Sequence, residues 1–175
     1  MEALLIIDMQ VGAFLTPRFE AETVIENINC LSTFFREKNQ PVIFVQHDGT
    51  KENFLVYGSD EWHILPSLTQ KATDHYIEKE ANDCFYKTVL ETLLQKLNVQ
   101  KLYICGCATD FCVNATVHGA LVRDYAITVI KDGHTTADRP VLNAEQIIDF
   151  HNWLWENLTP TQSRIEVKNT QKILK

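Results

Sequence analysis

Residues 101–112 read KLYICGCATDFC, an apolar run that ends in a glycine, small polar residues and a cysteine. The apolar run 101–105 predicts a β-strand that is covered on both faces. A helical pattern covers 111–124, and Thr109 or Asp110 can cap its start. A buried strand that leads directly into a helix is typical of an α/β protein with a parallel sheet.

The same alternation of strand and helix patterns extends over the rest of the chain. Further strands are predicted at 3–7, 42–45, 76–79, 126–130 and 164–167, and further helices at 21–38, 89–97 and 142–158. The polar segment 47–73 predicts a long loop with a short helix near Trp62. Right-handed crossovers place helices on both faces of such a sheet. We therefore predict one domain over residues 1–175, a Rossmann-like, three-layer αβα sandwich with a six-stranded, mostly parallel sheet.

The composition argues against several classes of partner. The 175 residues carry a formal net charge of -7 at pH 7, whereas nucleic acids and anionic membranes select basic faces. The apolar runs are shorter than the roughly 18 residues of a membrane span, and the start of the chain lacks the basic region of a signal peptide. Five cysteines without metal-binding spacing indicate free thiols in a reducing cytoplasm. We expect a cytoplasmic protein with a small-molecule substrate and no nucleic-acid or membrane partner.

Polar residues follow four of the predicted strands at their carboxyl ends. Asp8 follows the first strand, and His47 follows the second. Lys79 ends the third, and Cys112 lies just beyond the fourth. Ligands of open parallel sheets bind at this edge, near a switch in strand order. We therefore expect Asp8, Lys79 and Cys112 to meet around one cavity.

These three groups form a set suited to nucleophilic catalysis. Cys112 lies in the first turn of the predicted helix, where the helix dipole and free N–H groups favour a thiolate and can bind an oxyanion. Lys79 can stabilise the thiolate, and Asp8 can carry a proton from the thiol to the leaving group. Two alternatives remain: Lys87 could take the place of Lys79, and Cys112 could pack as a small buried hydrophobe.

Several side chains near the predicted loops are candidates for substrate contact, namely Gln10, Phe14, Trp62, Phe85 and Cys107. Phe14 and Trp62 are the preferred pair, although aromatic residues are also common in cores. Three residues at the end of the fifth predicted strand are expected to fix a loop: Asp132, Thr135 and Thr136. The remaining histidines are interpreted as ordinary polar or interface residues: His118, His134 and His151.

Four segments together resemble the isochorismatase-like hydrolases, also called the cysteine hydrolase superfamily. They are LLIIDMQ at 4–10, IEK at 77–79 with CF at 84–85, GCATDFCV at 106–113 and YAITVIKDGHTT at 125–136. The resemblance implies a three-layer α/β fold and an Asp–Lys–Cys triad at Asp8, Lys79 and Cys112. It also implies a non-proline cis peptide at Cys107–Ala108 and an oxyanion hole formed by the backbone N–H groups of Ala108 and Cys112.

The resemblance gives less information about substrate, cofactor and assembly. Nicotinamidases of this superfamily bind a metal through an Asp-x-His pair after the second strand, where this chain has HDGT at 47–50. We therefore expect no metal and no organic cofactor, with His47, Asp48 and His63 as an alternative cation site. Members are often dimers or tetramers, so a homodimer or homotetramer is expected, with an interface on the helix that carries Val113, Val117 and His118.

The function that follows is hydrolysis of a small amide or another C–N bonded substrate by a cysteine nucleophile. Isochorismatase-type hydrolysis of a vinyl ether is one alternative. Members of that branch can lack the cysteine, so the presence of Cys112 favours C–N hydrolysis over it. A non-catalytic binding domain and a redox sensor that uses Cys105, Cys107 and Cys112 are alternatives from other classes. An intact triad counts against a binding domain, which has no need for all three groups.

Overall fold

A computed structural model describes all 175 residues and contains one six-stranded sheet. The strands are β1 (Glu2–Ile7), β2 (Val42–His47), β3 (His75–Lys79), β4 (Lys101–Cys107), β5 (Ala126–Thr135) and β6 (Ile165–Lys168). They are ordered β3-β2-β1-β4-β5-β6, and every neighbouring pair is parallel. The predicted α/β sheet is confirmed, and the order reverses between β1 and β4.

Helices connect the strands and cover both faces of the sheet. The α-helices are α1 (Ala21–Glu37), α2 (Leu90–Lys96), α3 (Asn114–Leu121), α4 (Ala144–Asn157) and α5 (Thr170–Ile173). Two short 3-10 helices cover Val11–Phe14 and Thr50–Glu52, and a π-helix covers Thr109–Val113. None of these helices combines the length and the apolar composition that crossing a bilayer requires.

The apolar run of β1 is buried because the sheet has a core on each face. Leu5 and Ile7 belong to one apolar cluster, which also contains Trp155 of α4. Leu4 and Ile6 belong to the other cluster, which is covered by α1. Successive side chains of a strand point to opposite faces, so an unbroken apolar run fits a strand between two helical layers. Each such side chain contributes about 1.5–3 kcal/mol when it is fully buried.

Gly106 allows β4 to lie close to β1 at the edge where the polar residues collect. It is paired with Ile7, and its φ of 125° is rarely adopted by residues with a side chain. A Cβ at this position would lie 2.2 Å from the carbonyl oxygen of Ile7. The glycine therefore brings the segment that follows β4 beside Asp8, the residue that follows β1.

The structure differs from the sequence prediction in several elements. The predicted helix 111–124 begins instead with the π-helix, in which the N–H of Val113 donates to the carbonyl oxygen of Ala108 at 3.1 Å. Strand β5 continues to Thr135 because a register shift lets it pair with Gly106 and Cys107. The short helix predicted near Trp62 is absent from that position.

Two of the three residues predicted for an interface between subunits are not on the surface. Val113 and Val117 are completely buried and pack in the core, so they cannot contact another chain. Only His118 of the three predicted residues is exposed. The apolar residues on this helix that suggested an interface pack against the sheet of the same chain.

Candidate active site

Three side chains from separate parts of the chain meet at the carboxyl edge of the sheet. Asp8 directly follows β1, Lys79 is the last residue of β3, and Cys112 lies in the π-helix after β4. The ammonium nitrogen of Lys79 lies 2.6 Å from Oδ2 of Asp8 and 3.3 Å from Sγ of Cys112. The structure therefore brings together the acid, the amine and the thiol that were expected to share one cavity.

Asp8 has one carboxylate oxygen free of any protein partner. Its Oδ2 is paired with Lys79, whereas its Oδ1 is buried and accepts no hydrogen bond. The residue has a φ of 49°, in the left-handed region that aspartate tolerates better than most residues. A buried acceptor without a partner is costly for stability and is a common feature of functional sites. Oδ1 is thus available to receive a proton.

The charges of the site are arranged around a protonated thiol. Burial raises the pKa of the Cys112 thiol, and the nearby Asp8 carboxylate raises it further, while Lys79 acts in the opposite direction. Sγ also donates a weak hydrogen bond to Oδ1 of Asn82 at 3.5 Å. The expectation of a resting thiolate is therefore not supported, because burial and Asp8 outweigh Lys79 and the helix start.

Lys79 keeps its charge although it is buried. Burial acts to lower the pKa of Lys79, but the attraction of Asp8 outweighs this effect and raises that pKa above its ordinary value. The alternative amine, Lys87, lies 5.2 Å from the centre of the Tyr86 ring, whereas the amine of Lys79 contacts both Asp8 and Cys112. The structure thus favours Lys79 over Lys87 as the partner of the thiol.

A cavity of about 360 Å³ opens above the three groups. Asp8 and Cys112 lie on its wall, together with Cys107 and Ala108, both of which were predicted at the site. His47, which was expected at this edge, also lies on the wall, whereas most of the remaining wall was not predicted: Arg18, Phe54, Leu55, Phe111 and Arg139. This volume is at the small end of the range for ligand cavities, and apolar walls with a few polar groups are typical of them.

Four side chains predicted to contact substrate lie outside this wall. Gln10 is fully buried, and its amide group bonds the backbone of His47 and Trp62 at 2.8–3.0 Å. Its role is to join two loops, because all of its polar atoms are used in those bonds. The position of Gln10 just after the first strand predicted that it would lie near the site. It could not predict that the side-chain amide would bond the backbone of two loops.

The three predicted aromatic residues pack into the protein. Phe85 is in the core and stacks with Tyr125, with ring centroids 5.8 Å apart. Phe14 packs against the core beneath α1, and Trp62 packs against Tyr57 at 4.7 Å between ring centroids. Phe54 and Phe111 instead supply the aromatic part of the cavity wall.

An ion pair fixes the segment that carries Cys112. The guanidinium of Arg139 donates to both carboxylate oxygens of Asp110, at 2.8 and 3.2 Å, and Thr136 donates to the same group at 2.6 Å. Burial opposes ionisation of Asp110, but these hydrogen bonds hold its pKa below the ordinary value. The guanidinium carbon also lies 4.9 Å from the centre of the Phe111 ring.

Neighbouring residues fix the loops around this segment. The Thr135 hydroxyl donates to the carbonyl oxygen of Phe19, and Asp132 accepts two hydrogen bonds from Thr170. These contacts agree with the loop-fixing role that was predicted for Thr135, Thr136 and Asp132.

The peptide bond Cys107–Ala108 is cis, as the resemblance implied.

No three or more His, Cys, Asp or Glu side chains lie close enough to one another to hold a metal ion. His47, Asp48 and His63 therefore do not form the alternative cation site.

His47 lines the cavity, and its buried Nδ1 has no protein partner. Burial, followed by the charge of Lys79, lowers the pKa of His47, so its imidazole is neutral at pH 7. All five cysteines are free, as predicted.

Comparison with known proteins gives the family of the chain. The isochorismatase domain model matches residues 2–161. An uncharacterized isochorismatase family protein of Bacillus subtilis is 30% identical over 139 residues, which are 77% of each chain. A streptothricin hydrolase of Streptomyces noursei is 28% identical over 144 residues, covering 80% of this chain and 51% of the relative.

A solved structure gives the same result. The crystal structure of an isochorismatase family protein superposes with a TM-score of 0.86 at 32% sequence identity, covering 95% of this chain and 96% of the other. The family match, the sequence relatives and the fold agree with the resemblance seen in the four sequence segments. The chain belongs to the isochorismatase family of hydrolases.

Proposed function

We propose that the protein is a cysteine hydrolase that cleaves a small amide or a related C–N bonded substrate. The observation that carries the proposal is that the ammonium of Lys79 contacts both Asp8 and Cys112 at the wall of a small cavity. A nucleophile, a proton carrier and a fixed cation are the parts that covalent hydrolysis of a carbonyl compound needs.

In the first half of the reaction, Sγ of Cys112 attacks the carbonyl carbon while Asp8 accepts the thiol proton. Lys79 stabilises the negative charge that passes between sulfur and carboxylate. Ala108 and Cys112 both line the cavity, and their backbone N–H groups stabilise the oxyanion. The C–N bond then breaks, Asp8 protonates the departing ammonia or amine, and a thioester remains on Cys112.

In the second half, water attacks the thioester carbon and Asp8 accepts a proton from that water. The C–S bond breaks, the proton returns to the sulfur, and the acid product leaves. A protonated resting thiol suits this sequence because the carboxylate removes its proton only as the carbonyl is attacked. Cys112 on the cavity wall favours C–N hydrolysis over the vinyl ether reaction.

The alternatives from other classes have less support. Cys105 and Cys107 are 0% and 2% exposed, and burial raises the pKa of Cys107 to about 12. Low thiolate content and low exposure are unfavourable for a redox sensor. A binding domain has no use for a buried ion pair that contacts a thiol.

The proposal is tested by measuring ammonia or acid release from a panel of small primary amides, carbamoyl compounds and lactams. Wild-type protein is expected to hydrolyse at least one class, and Cys112→Ala to lose that activity while its thermal melt stays near wild type. Cys30→Ala is the matched control because Cys30 is an exposed, free cysteine. Full activity in Cys112→Ala would reject the proposal.

A further inference from the structure

The cavity wall carries four ionisable side chains besides its cysteines, and three of them are neutral or paired. Asp8 is paired with Lys79, and Arg139 is paired with Asp110. His47 is kept neutral at pH 7 by burial. Arg18 lines the same cavity and forms no salt bridge. It therefore leaves one positive charge on the wall without a protein counter-charge.

The position of Arg18 is fixed by the loop around it. Its Nε donates to the carbonyl oxygen of Ala13 at 2.6 Å. The next residue, Phe19, donates its N–H to Thr136 and accepts a hydrogen bond from the hydroxyl of Thr135. These bonds fasten the loop to the end of β5. The guanidinium is thus held at the cavity before any ligand arrives, which reduces the entropy cost of binding.

Two nitrogen atoms of the guanidinium remain available. Nη1 and Nη2 of Arg18 have no hydrogen-bond partner in the protein, whereas the guanidinium of Arg139 already bonds Asp110 and Thr136. A guanidinium presents parallel N–H groups that match the two oxygens of a carboxylate. The overall charge of -7 acts against anion binding, so a local, unpaired cation is needed to select an anionic ligand.

We infer that Arg18 selects substrates that carry a carboxylate. On the proposed function, on which this inference rests, the carboxylate pairs with Arg18 while the scissile C–N bond lies at Cys112. The substrate class is then a small amide or carbamoyl derivative of a carboxylic acid, of a size that fits a cavity of about 360 Å³.

The first test measures binding, so that it does not depend on turnover. Calorimetry compares benzoate with benzyl alcohol, which has a similar shape and no charge, on wild type and on Arg18→Gln. We expect wild type to bind benzoate, and Arg18→Gln to bind it about 10- to 100-fold more weakly, the effect of losing a charge-assisted pair. Arg164→Gln is the control, because Arg164 is exposed at the opposite edge of the sheet.

The second test measures selectivity in catalysis. Ammonia release is compared for N-carbamoylglycine and N-(2-hydroxyethyl)urea, in which a hydroxymethyl group replaces the carboxylate. The ratio of kcat/KM for the acid over the alcohol should be at least about tenfold in wild type and in Arg164→Gln, and should approach one in Arg18→Gln.

The outcomes separate this inference from the proposed function. Undetectable benzoate binding by wild type, or equal benzoate binding by wild type and Arg18→Gln, overturns the role of Arg18. Hydrolysis of the alcohol as fast as the acid by wild type overturns it as well. Failure of the whole amide panel rejects the hydrolase proposal, and the benzoate measurement then still decides whether Arg18 binds carboxylates.

Discussion

The hydroxyl oxygen of Thr109 lies 2.8 Å from Nδ1 of His134, behind the segment that carries Cys112. Nε2 of the same ring lies 3.0 Å from Oδ1 of Asn152. Because this amide oxygen can only accept, Nε2 carries the proton and Nδ1 accepts from Thr109. A neutral histidine thus connects α4 to the first residue of the π-helix.

Acid should destabilise the protein through this histidine. Burial lowers the pKa of His134 from 6.5 to about 4. Between these values the unfolded chain binds a proton that the folded protein does not, so the free energy of unfolding falls as pH drops from 6.5 to 4. The contribution of His134 to this loss is on the order of 3 kcal/mol. Urea unfolding at several pH values should show a smaller loss in His134→Gln.

Exposed His118→Gln serves as the control for that experiment and should keep the wild-type pH dependence. Equal acid sensitivity in wild type and His134→Gln would show that His134 is not the group that titrates.

Asp8→Asn should accelerate alkylation of the Cys112 thiol and slow hydrolysis of the substrate. Without the carboxylate, the pKa of Cys112 falls, because Asp8 raises it and Lys79 lowers it. The thiolate fraction at pH 8 should rise about tenfold for each unit by which that pKa falls, so alkylation by iodoacetamide should accelerate, by less than tenfold per unit because a thiolate of lower pKa is a weaker nucleophile. Hydrolysis should slow about 100-fold or more, because the proton carrier is lost.

Exposed Cys30 provides an internal reference for alkylation in the same protein. Mass spectrometry of the two cysteine peptides gives both rates. Slower alkylation of Cys112 in Asp8→Asn would contradict the assigned effect of the carboxylate on the thiol.

Arg139→Gln and Asp110→Asn should both reduce activity, although Asp110 does not line the cavity. Each change breaks the ion pair that fixes the Cys112 segment, and small displacements of a nucleophile are costly. We expect kcat/KM to fall about 10- to 100-fold in both variants.

Arg123→Gln is a close control for this pair of variants. Arg123 and Arg139 have the same side-chain exposure of 29%, each is paired with a carboxylate, and each lies over an aromatic ring. Arg123 bonds Glu91 of α2 and the carbonyl oxygen of Gly119 in α3, and it does not line the cavity. Wild-type kcat/KM in Asp110→Asn would rule out positioning through this ion pair.

Gly106→Ala should disrupt the junction of β1 and β4. The added Cβ would meet the backbone of Ile7, and the φ of 125° would be strained. We expect a loss of more than about 4 kcal/mol or a failure to fold, which is in the severe range for a point mutation. Gly58→Ala has a positive φ but meets nothing within 4 Å, so it should cost only about 1 kcal/mol. Similar thermal melts for both variants would be incompatible with the close approach of these strands.

The sequence contained enough information to place the backbone of the site. Apolar runs at 3–7 and 101–105 predicted the central strands, and the residues that follow them predicted where Asp8 and Cys112 would lie. This succeeds because all parallel strands end at one edge, so the residues that follow the strands lie on the same side of the sheet.

The other residues of the cavity wall lie in loops, and the hydrophobic periodicity of the sequence does not predict where loop side chains point. Phe54 and Leu55 reach the cavity from the loop after β2, and Arg18 from the loop before α1. Their sequence neighbourhood has no repeating pattern, so nothing distinguished them from Phe14 or Trp62. His134 was interpreted as an ordinary polar residue because its partners, Thr109 and Asn152, are distant in sequence. The cytoplasmic location and the homo-oligomer stay predictions.

The most direct test of the account is the detection of a covalent intermediate on Cys112. Enzyme that is quenched in acid during turnover of its best substrate is analysed by intact-protein and peptide mass spectrometry. We predict that the acyl part of the substrate is attached to the peptide containing Cys112, and that Cys112→Ala gives neither adduct nor product. Continued turnover by Cys112→Ala, or an adduct on a different residue, would contradict the account.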